Sequence, residues 1–242
     1  MENKKKKNHY FIGYMIRFDK NLIKELDKSK KYIKSLQDVK TKDIIHNYHT
    51  RFLYLGYLDD DTANSLIHDK LDPVIQLLVN KVSKYSGNLT CNIDPEIKIF
   101  GHKSTYKKIG IFYKNDIIEK KVVPALREIM KDIYGEYKYD YNPHINIMSI
   151  YPLNKVKLEL LKSKILHSNI SLPESFSIDS IDILKSATLE TRTGKSSKND
   201  ESKVETLFTY KINKIQPSNH TDKKNKKNKK TFMGEIAKMF AM

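Results

Sequence analysis

The chain has 242 residues, of which 39% are hydrophobic and 31% charged. This length accommodates one large domain or two small ones, and the apolar content suffices for a buried core. No apolar run approaches the ~18–20 residues that a membrane helix needs, and the N-terminus lacks the long apolar region of a secretory signal. Cys91 is the single cysteine, which excludes an internal disulfide and a cysteine-ligated zinc site. We therefore expect a soluble, cytoplasmic protein.

The formal net charge is +16, and it is spread unevenly along the chain. Residues 1–8 carry +3 and residues 216–242 carry +5, which leaves +8 for residues 9–215. The positive charge of residues 9–215 favours a polyanionic partner such as RNA or a nucleotide. Lysine-rich usage in an AT-rich genome is the alternative explanation, so the charge alone does not identify a ligand.

The first half of the chain alternates strands and helices. Aromatic and β-branched runs predict strands, and apolar residues at three- and four-residue spacing predict helices. Asp19 is placed to cap the first helix, and the acidic run Asp59–Asp61 suits the start of the second. In order, the predicted elements are a strand over 9–19, a helix over 21–36, a strand over 48–58 and a helix over 59–82.

The second half repeats this alternation. Pro124 interrupts the apolar pattern of its long helix and is expected to kink it. The segment 190–203 has almost no apolar residue and is predicted to be an exposed loop. The predicted elements are strands over 88–100 and 107–114, a helix over 116–135, a strand over 142–151, a helix over 155–167, and strands over 175–189 and 204–215.

The order strand–helix–strand occurs twice, over residues 10–57 and 107–151. Each such unit can cover one face of a small sheet, so the repeat predicts an α+β fold with two similar lobes. In this arrangement the equivalent strands bring His49 and His144, which stand at the mouths of their strands, to opposite sides of one groove.

Each of these histidines precedes a polar residue by two positions: Arg51 follows His49, and Asn146 follows His144. Because side chains alternate along a strand, each histidine is predicted to share the groove face with its polar partner. The same alternation assigns Leu53, Leu55 and Met148 to the groove face, and Thr50, Phe52, Tyr54, Ile145, Ile147 and Ser149 to the other face.

Two imidazoles suit the chemistry of a phosphodiester. One ring can take the proton of the nucleophile while the other gives a proton to the leaving oxygen, near neutral pH and without a metal or other cofactor. Arg51 and Asn146 would then hydrogen-bond the phosphoryl oxygens as charge develops on them.

Other interpretations of the histidines are open at this point. A single histidine near a strand start is usually a half-buried polar residue without a catalytic role. His46 and His49 have a spacing found in metal sites, but no cluster of acids or cysteines completes a ligand set. His102, in a loop with several lysines, suits either the rim of an anion site or an ordinary solvated loop.

Several segments, taken in order, resemble the two-histidine phosphoesterase superfamily, which includes 2′-5′ RNA ligase-like and cyclic nucleotide phosphodiesterase-like proteins. The first motif is HTRFLYLGYLDD (49–60) and the second is NPHINIMSI (142–150). The likeness covers roughly residues 9–215. It implies a bilobal α+β fold with antiparallel sheets flanking a central groove, and it implies that His49 and His144 form an acid–base pair.

The chain departs from this family where Thr or Ser usually stands two residues after each histidine. Arg51 and Asn146 occupy these positions; both retain hydrogen-bond donors, and Arg51 adds a positive charge. The resemblance implies a metal-independent phosphodiesterase for an RNA-type substrate: a 2′,3′-cyclic phosphate, a 2′-5′ oligonucleotide or a cyclic dinucleotide. The alternatives are a catalytically weak nucleotide- or RNA-binding module, and a structural or virion protein with the same fold.

Both termini are expected to lie outside this domain, residues 1–8 as a basic tail and residues 216–242 as a second one. Lysine and asparagine fill residues 223–230, which predicts a solvated linker. Apolar residues beyond it recur at helical spacing and form a short amphipathic segment. This C-terminal tail suits RNA, an anionic surface or a protein partner, or it is a frayed terminus.

Overall fold

A computed structural model of the chain describes residues 7–37, 39–85, 89–101, 106–137, 140–186 and 204–212. The predicted loop 190–203, His102 and the C-terminal tail lie outside these residues. The strands are β1 (Asn8–Met15), β2 (Thr41–Ile44), β3 (His49–Leu58), β4 (Thr90–Phe100), β5 (Lys107–Lys114), β6 (His144–Ile150), β7 (Ser175–Ser177), β8 (Ser180–Ser186) and β9 (Val204–Lys211). The helices are α1 (Lys20–Ser35), α2 (Asp60–Leu66), α3 (Asp72–Val82), α4 (Val123–Tyr134) and α5 (Lys155–Leu166).

Within the described residues, the nine strands form one antiparallel sheet. The strand order is β7-β4-β5-β6-β3-β1-β8-β9, and β2 pairs with β6. Two three-stranded units, β4-β5-β6 and β8-β1-β3, therefore lie side by side. They join where Thr50 of β3 pairs with Ile145 of β6. The predicted α+β fold with two lobes is confirmed, and the sheets of the two lobes are continuous through this pair.

The helices pack on one face of the sheet around a common apolar core. On β1, Tyr10, Ile12 and Tyr14 belong to this core, whereas Phe11 and Met15 belong to a small separate cluster. Side-chain alternation therefore assigns the small cluster to the opposite face of the sheet, which faces the groove. None of the helices in the described ranges is long and apolar enough to cross a bilayer.

Local sequence determines where the helices start. Asp19 caps α1 by accepting a hydrogen bond from the backbone N–H of Leu22 at 2.9 Å, as predicted. A π turn over Ile67–Leu71 joins α2 to α3, and another over Ile118–Val122 precedes α4. Pro124 is the second residue of α4, directly after the second π turn.

Two strand predictions need correction. The strand predicted over 175–189 is two strands, β7 and β8, which pair with different neighbours at opposite ends of the sheet. The short strand β2 was not predicted, because its sequence, TKDI, lacks the apolar alternation of a half-buried strand. Pairing with the buried strand β6 gives β2 its extended conformation.

Candidate active site

The two predicted histidines meet where the lobes join. Thr50 and Ile145, called here the junction pair, follow His49 and His144 directly, and both are fully buried. The hydroxyl of Thr50 is hydrogen-bonded to the hydroxyl of Tyr113, another buried residue. Because side chains alternate, residues one position away from the junction pair project from the opposite face, into the groove.

The four predicted site residues therefore share the groove face. The two strands run antiparallel, so the register sets His49 across from Asn146, and Arg51 across from His144. Each histidine thus faces the polar partner of the other one. Side-chain alternation predicted one polar neighbour for each histidine, on its own strand. Strand pairing adds a second polar neighbour, on the adjacent strand.

A glycine lies opposite each polar partner. Gly13 of β1 pairs with Arg51, and Gly110 of β5 pairs with Asn146. A Cβ atom on either glycine would overlap the carbonyl oxygen of the nearer member of the junction pair. Both positions therefore require glycine for the strands to approach this closely.

One β-bulge in each lobe changes which residues line the groove. The pairing of β1 with β3 skips Phe52, and the pairing of β5 with β6 skips Ile147. An extra residue on one strand reverses the side-chain alternation beyond it. Each bulge stands three residues after a groove histidine, so the two lobes are irregular in the same way.

The bulges overturn five predicted orientations. Leu53, Leu55 and Met148 were assigned to the groove, but all three are buried in the main core. Tyr54 was assigned to the other face, but its ring contacts groove residues. Ser149 lies between two core residues of β6 and therefore also projects into the groove.

Both histidines are oriented by the same kind of contact. Nδ1 of His49 lies 3.0 Å from the carbonyl oxygen of Asn47, and Nδ1 of His144 lies 2.6 Å from the carbonyl oxygen of Asn142. A carbonyl oxygen only accepts, so Nδ1 carries the proton in each neutral ring. The lone pair of Nε2 is then available to accept a proton.

Comparisons with known proteins bear on the fold as a whole. No protein-family model matches the sequence, and no curated protein does. The crystal structure of TT0787 of Thermus thermophilus matches with a TM-score of 0.51 and 10% sequence identity, over 84% of this chain and 97% of that one. This chain has the two-histidine phosphoesterase fold.

Two other solved structures are similar to this two-histidine fold. E. coli LigT in its apo form has a TM-score of 0.46 at 9% identity, over 85% of this chain and 98% of its own. Kluyveromyces marxianus Usb1 has a TM-score of 0.45 at 9% identity, over 83% of this chain and 98% of its own. The likeness to TT0787 confirms the fold predicted from the ordered motifs, while the roles of individual residues depend on the geometry of this chain.

Burial and nearby cations lower the pKa of both groove histidines, His49 and His144. The pKa of His49 falls from 6.5 to about 4, mainly because burial disfavours the charged ring, and further because Arg51, His144 and Lys108 lie nearby. The pKa of His144 also falls to about 4, through burial and then through Lys108 and Arg51. Both rings are therefore neutral at pH 7 in the free protein.

Lys108 is a groove residue that sequence analysis missed. Its charge contributes to the lowered pKa of His9, His49 and His144, so its ammonium group lies within electrostatic reach of all three. Burial and Arg51 lower the pKa of Lys108 itself. The sequence placed Lys108 at the start of the strand predicted over 107–114 and assigned it no role, although Lys108 lies two residues before Gly110 on the same strand face.

Aromatic rings hold Arg51 in the groove. The guanidinium carbon of Arg51 lies 4.8 Å from the ring centroid of Phe11 and 5.9 Å from that of Tyr54. Its Nε is buried without a hydrogen-bond partner, and so is Oδ1 of Asn146. Buried polar atoms are seldom left unpaired. These two atoms therefore indicate where a ligand would supply an acceptor and a donor.

No cluster of three or more His, Cys, Asp or Glu side chains that could bind a metal is found in the described part of the chain. His46, weighed in the sequence as a ligand beside His49, is exposed before β3. Cys91 is buried, as a free thiol with a raised pKa.

Proposed function

We propose that the chain is a phosphodiesterase that cleaves an RNA-type phosphodiester without a metal ion, with His49 and His144 as its acid–base pair. The main support is the common presentation of the two rings. Each is bound through Nδ1 to a backbone carbonyl two residues earlier, which leaves Nε2 free for proton transfer. Arg51, Asn146 and Lys108 surround them with hydrogen-bond donors.

In the proposed reaction, one neutral imidazole accepts the proton of the attacking hydroxyl or water at Nε2. The other imidazole, protonated, gives its proton to the oxygen that leaves phosphorus. Negative charge builds on the nonbridging oxygens as the nucleophile approaches. Arg51 and Lys108 would stabilise this charge, because hydrogen bonds from charged donors are stronger than those from neutral donors.

Substrate binding would also prepare the general acid. Both histidines are neutral in the free protein because Arg51 and Lys108 add to the effect of burial. A bound phosphate is negative and opposes these two cations. It should therefore raise the pKa of both histidines and allow one of them to be protonated at neutral pH.

We infer that the substrate is an RNA-type end or linkage: a 2′,3′-cyclic phosphate, a 2′-5′ oligonucleotide or a cyclic dinucleotide. A ribose 2′ oxygen takes part in the first two and is the group that separates RNA from DNA. The unpartnered Oδ1 of Asn146 supports this class, because a ribose hydroxyl is a suitable donor for it.

The test is hydrolysis of these three substrate types in excess chelator. We expect wild-type turnover, and a loss of about 100-fold or more in His49→Ala and in His144→Ala, the usual contribution of a general acid or base. His167→Ala is the control, since His167 is exposed at the end of α5. Turnover that requires added metal, or survives in the His49→Ala/His144→Ala double variant, contradicts the proposal.

A binding module without efficient turnover is the second candidate function. It is favoured by Arg51, a cation where the family usually has a hydroxyl, because a cation also strengthens binding of the ground state. Equal stabilisation of ground state and transition state gives no rate enhancement. On this hypothesis the groove holds a nucleotide or RNA phosphate and releases it unchanged.

Restoring the family residues distinguishes the two functions. For an enzyme that uses Arg51 and Asn146, the Arg51→Thr and Asn146→Thr variants should lose kcat. For a binding module derived from an enzyme, the double variant should gain turnover while it loses affinity for inorganic phosphate. Single-turnover rates and calorimetric phosphate affinities, measured on the same preparations, separate these outcomes.

A further inference from the structure

The positive charge of the helices is concentrated on α1 and α5. Six lysines and two acids in α1 give +4, and four lysines and one acid in α5 give +3. The segments 60–82 and 118–134 contain the other three helices. Two lysines and four acids give the first segment −2, and four basic residues and three acids give the second +1. A genome-wide preference for lysine would act on all helices alike, so it does not explain this distribution.

The two basic helices lie side by side on the face of the sheet that is opposite the groove. The hydroxyl of Tyr32 in α1 donates a hydrogen bond to the backbone carbonyl of Lys164 in α5 at 2.9 Å. Leu36, which directly follows α1, lines a shallow depression together with Leu160 of α5. We call the outer surface of the two helices the α1–α5 face, and its residues are Lys20, Lys24, Lys28, Lys31, Val156 and Leu160.

Lysines form a stripe along the outer side of α1. Four of them recur at a spacing of four, four and three residues, which places them on one side of the helix. They are Lys20, Lys24, Lys28 and Lys31, and all four are exposed. The opposite side of α1 is buried in the main core. The stripe therefore presents positive charge to the solvent over roughly 17 Å of helix.

α5 exposes apolar side chains next to this stripe. One side of α5 is buried in the main core, and on the other side Val156 and Leu160 are 77% and 47% exposed. Leu166, at the end of the helix, is also exposed. The carboxylate of Glu159, on the same outer side, is ion-paired with Lys162 at 2.8 Å. The outer side of a helix in a soluble domain is normally polar, so these aliphatic side chains indicate a contact surface.

The partner of the α1–α5 face must be negatively charged and must accept aliphatic side chains. A second copy of this chain would bring one cationic surface against another, which electrostatic repulsion disfavours. An RNA backbone would pair with the lysines, but nucleobases stack on aromatic rings, and Val156 and Leu160 provide none. The surface of an anionic bilayer meets both requirements, because its headgroups attract lysines and its acyl boundary accepts apolar side chains.

We propose that the α1–α5 face binds an anionic lipid surface. The lysine stripe of α1 contacts the headgroups, and Val156 and Leu160 of α5 insert at the boundary of the acyl chains. The groove opens on the opposite face of the sheet, so it stays accessible to a substrate from the aqueous side. This inference goes beyond the proposed phosphodiester chemistry and uses none of the groove residues.

Co-sedimentation of the full chain with lipid vesicles tests this surface. The vesicles contain phosphatidylcholine, with or without about one third phosphatidylserine, and we expect the chain to sediment with the anionic vesicles. Lys24→Gln/Lys31→Gln should weaken this binding about fivefold or more through the lost charge. Val156→Gln/Leu160→Gln should weaken it about fivefold or more through the lost insertion. Every variant keeps residues 216–242, so the C-terminal tail contributes equally to each measurement.

Each variant has a matched control on another part of the surface. Lys70→Gln/Lys131→Gln removes the same charge as the lysine variant, because both lysines are exposed outside α1 and α5. Leu207→Gln is the control for the apolar variant, since Leu207 is 36% exposed on β9. Both controls should bind anionic vesicles within about twofold of the wild type.

The outcomes separate this inference from the proposed activity. Equal wild-type binding to vesicles with and without phosphatidylserine overturns the lipid surface, and so does equal vesicle binding by the wild type and both face variants. A lysine variant that loses binding to single-stranded RNA but not to anionic vesicles also overturns it, in favour of RNA. His49→Ala/His144→Ala should bind vesicles as tightly as the wild type. A wild-type chain that binds vesicles through this face but hydrolyses no phosphodiester upholds the surface and contradicts the proposed activity alone.

Discussion

The proposed catalysis depends on the protonation states of two side chains, His49 and His144. General acid–base catalysis needs one neutral and one protonated ring. The free protein has both rings neutral at pH 7, since each pKa lies near 4. On the proposed mechanism, one ring must therefore take up a proton when the substrate binds, because the negative charge of the substrate opposes the field of Arg51 and Lys108. Anion binding and proton uptake would then be linked in the groove.

This linkage predicts different pH optima for two kinetic constants. The pH dependence of kcat/KM reports the pKa values of the free enzyme, and that of kcat reports those of the bound complex. We expect the kcat/KM optimum to lie below pH 6.5 and the kcat optimum to lie closer to neutrality. Lys108→Met should raise both histidine pKa values and move the kcat/KM optimum to higher pH.

The matched control for this prediction is Lys114→Met, because Lys114 is an exposed lysine at the far end of the same strand. It should leave the pH profile in place. Coinciding optima for kcat and kcat/KM, or an unchanged profile in Lys108→Met, would show that the cations do not set the protonation of the histidines.

At the scale of single residues, the sequence predicted the candidate site residues better than the residues around them. His49, Arg51, His144 and Asn146 follow from spacing and alternation, both of which are local. Lys108 does not, because its importance depends on two strands from different parts of the chain. The orientations of residues beyond each bulge were wrong for a related reason: a bulge is defined by the pairing with the neighbouring strand, and the sequence of one strand does not reveal it.

At the scale of the strands, close contact between β5 and β6 holds the second histidine. Gly110 is needed because a Cβ atom there would overlap the carbonyl oxygen of Ile145, a backbone atom that cannot rotate away. Relief of the overlap requires the two strands to separate at the residue that precedes Asn146. His144, on the other side of Ile145, should then shift as well.

We therefore expect Gly110→Ala to lose most of its turnover while retaining a folded core. Gly135→Ala is the control: Gly135 ends α4 with a φ of 78° and has open space around its Cα, so alanine there strains the backbone by about 1 kcal/mol without touching the groove. Urea denaturation and kcat, measured on both variants, separate the effects. Equal kcat values for the two variants at matched stability would refute the role of Gly110.

The sequence predicted the long elements well and the short ones poorly. The helices and most strands have strong apolar periodicity, and caps such as Asp19 mark where they start. The strand β2 has no such pattern and depends on its partner β6. The division of 175–189 into β7 and β8 was also missed, because a continuous apolar alternation does not show where a chain leaves one end of the sheet for the other.

At the scale of the whole molecule, three histidines with lowered pKa values make the folded chain less stable in acid. His9, His49 and His144 each have a pKa near 4 in the folded chain and about 6.5 when unfolded. Below pH 6.5 the unfolded chain therefore takes up protons that the folded chain does not, so the free energy of unfolding falls as the pH falls. The loss levels off near pH 4, where the folded chain is protonated as well. A shift of this size is worth on the order of 3 kcal/mol for a residue as buried as His49.

We accordingly predict that the urea midpoint drops between pH 6.5 and pH 4.5. Carboxylates with lowered pKa values, such as Asp60 at about 2, lose their contribution only below about pH 3.8, outside this window. The His49→Gln/His144→Gln variant should be less sensitive to acid, because the two rings that resist protonation are absent. Added phosphate should restore part of the wild-type stability at pH 5 and stabilise the double variant less, since an anion in the groove raises the histidine pKa values, whereas the double variant has only Arg51 and Lys108 left to interact with it. A wild-type midpoint that is constant over this window, or a double variant as sensitive to acid as the wild type, would mean that the pKa values of the two histidines are not lowered in the folded chain, and the proposed acid–base pair would have to be abandoned.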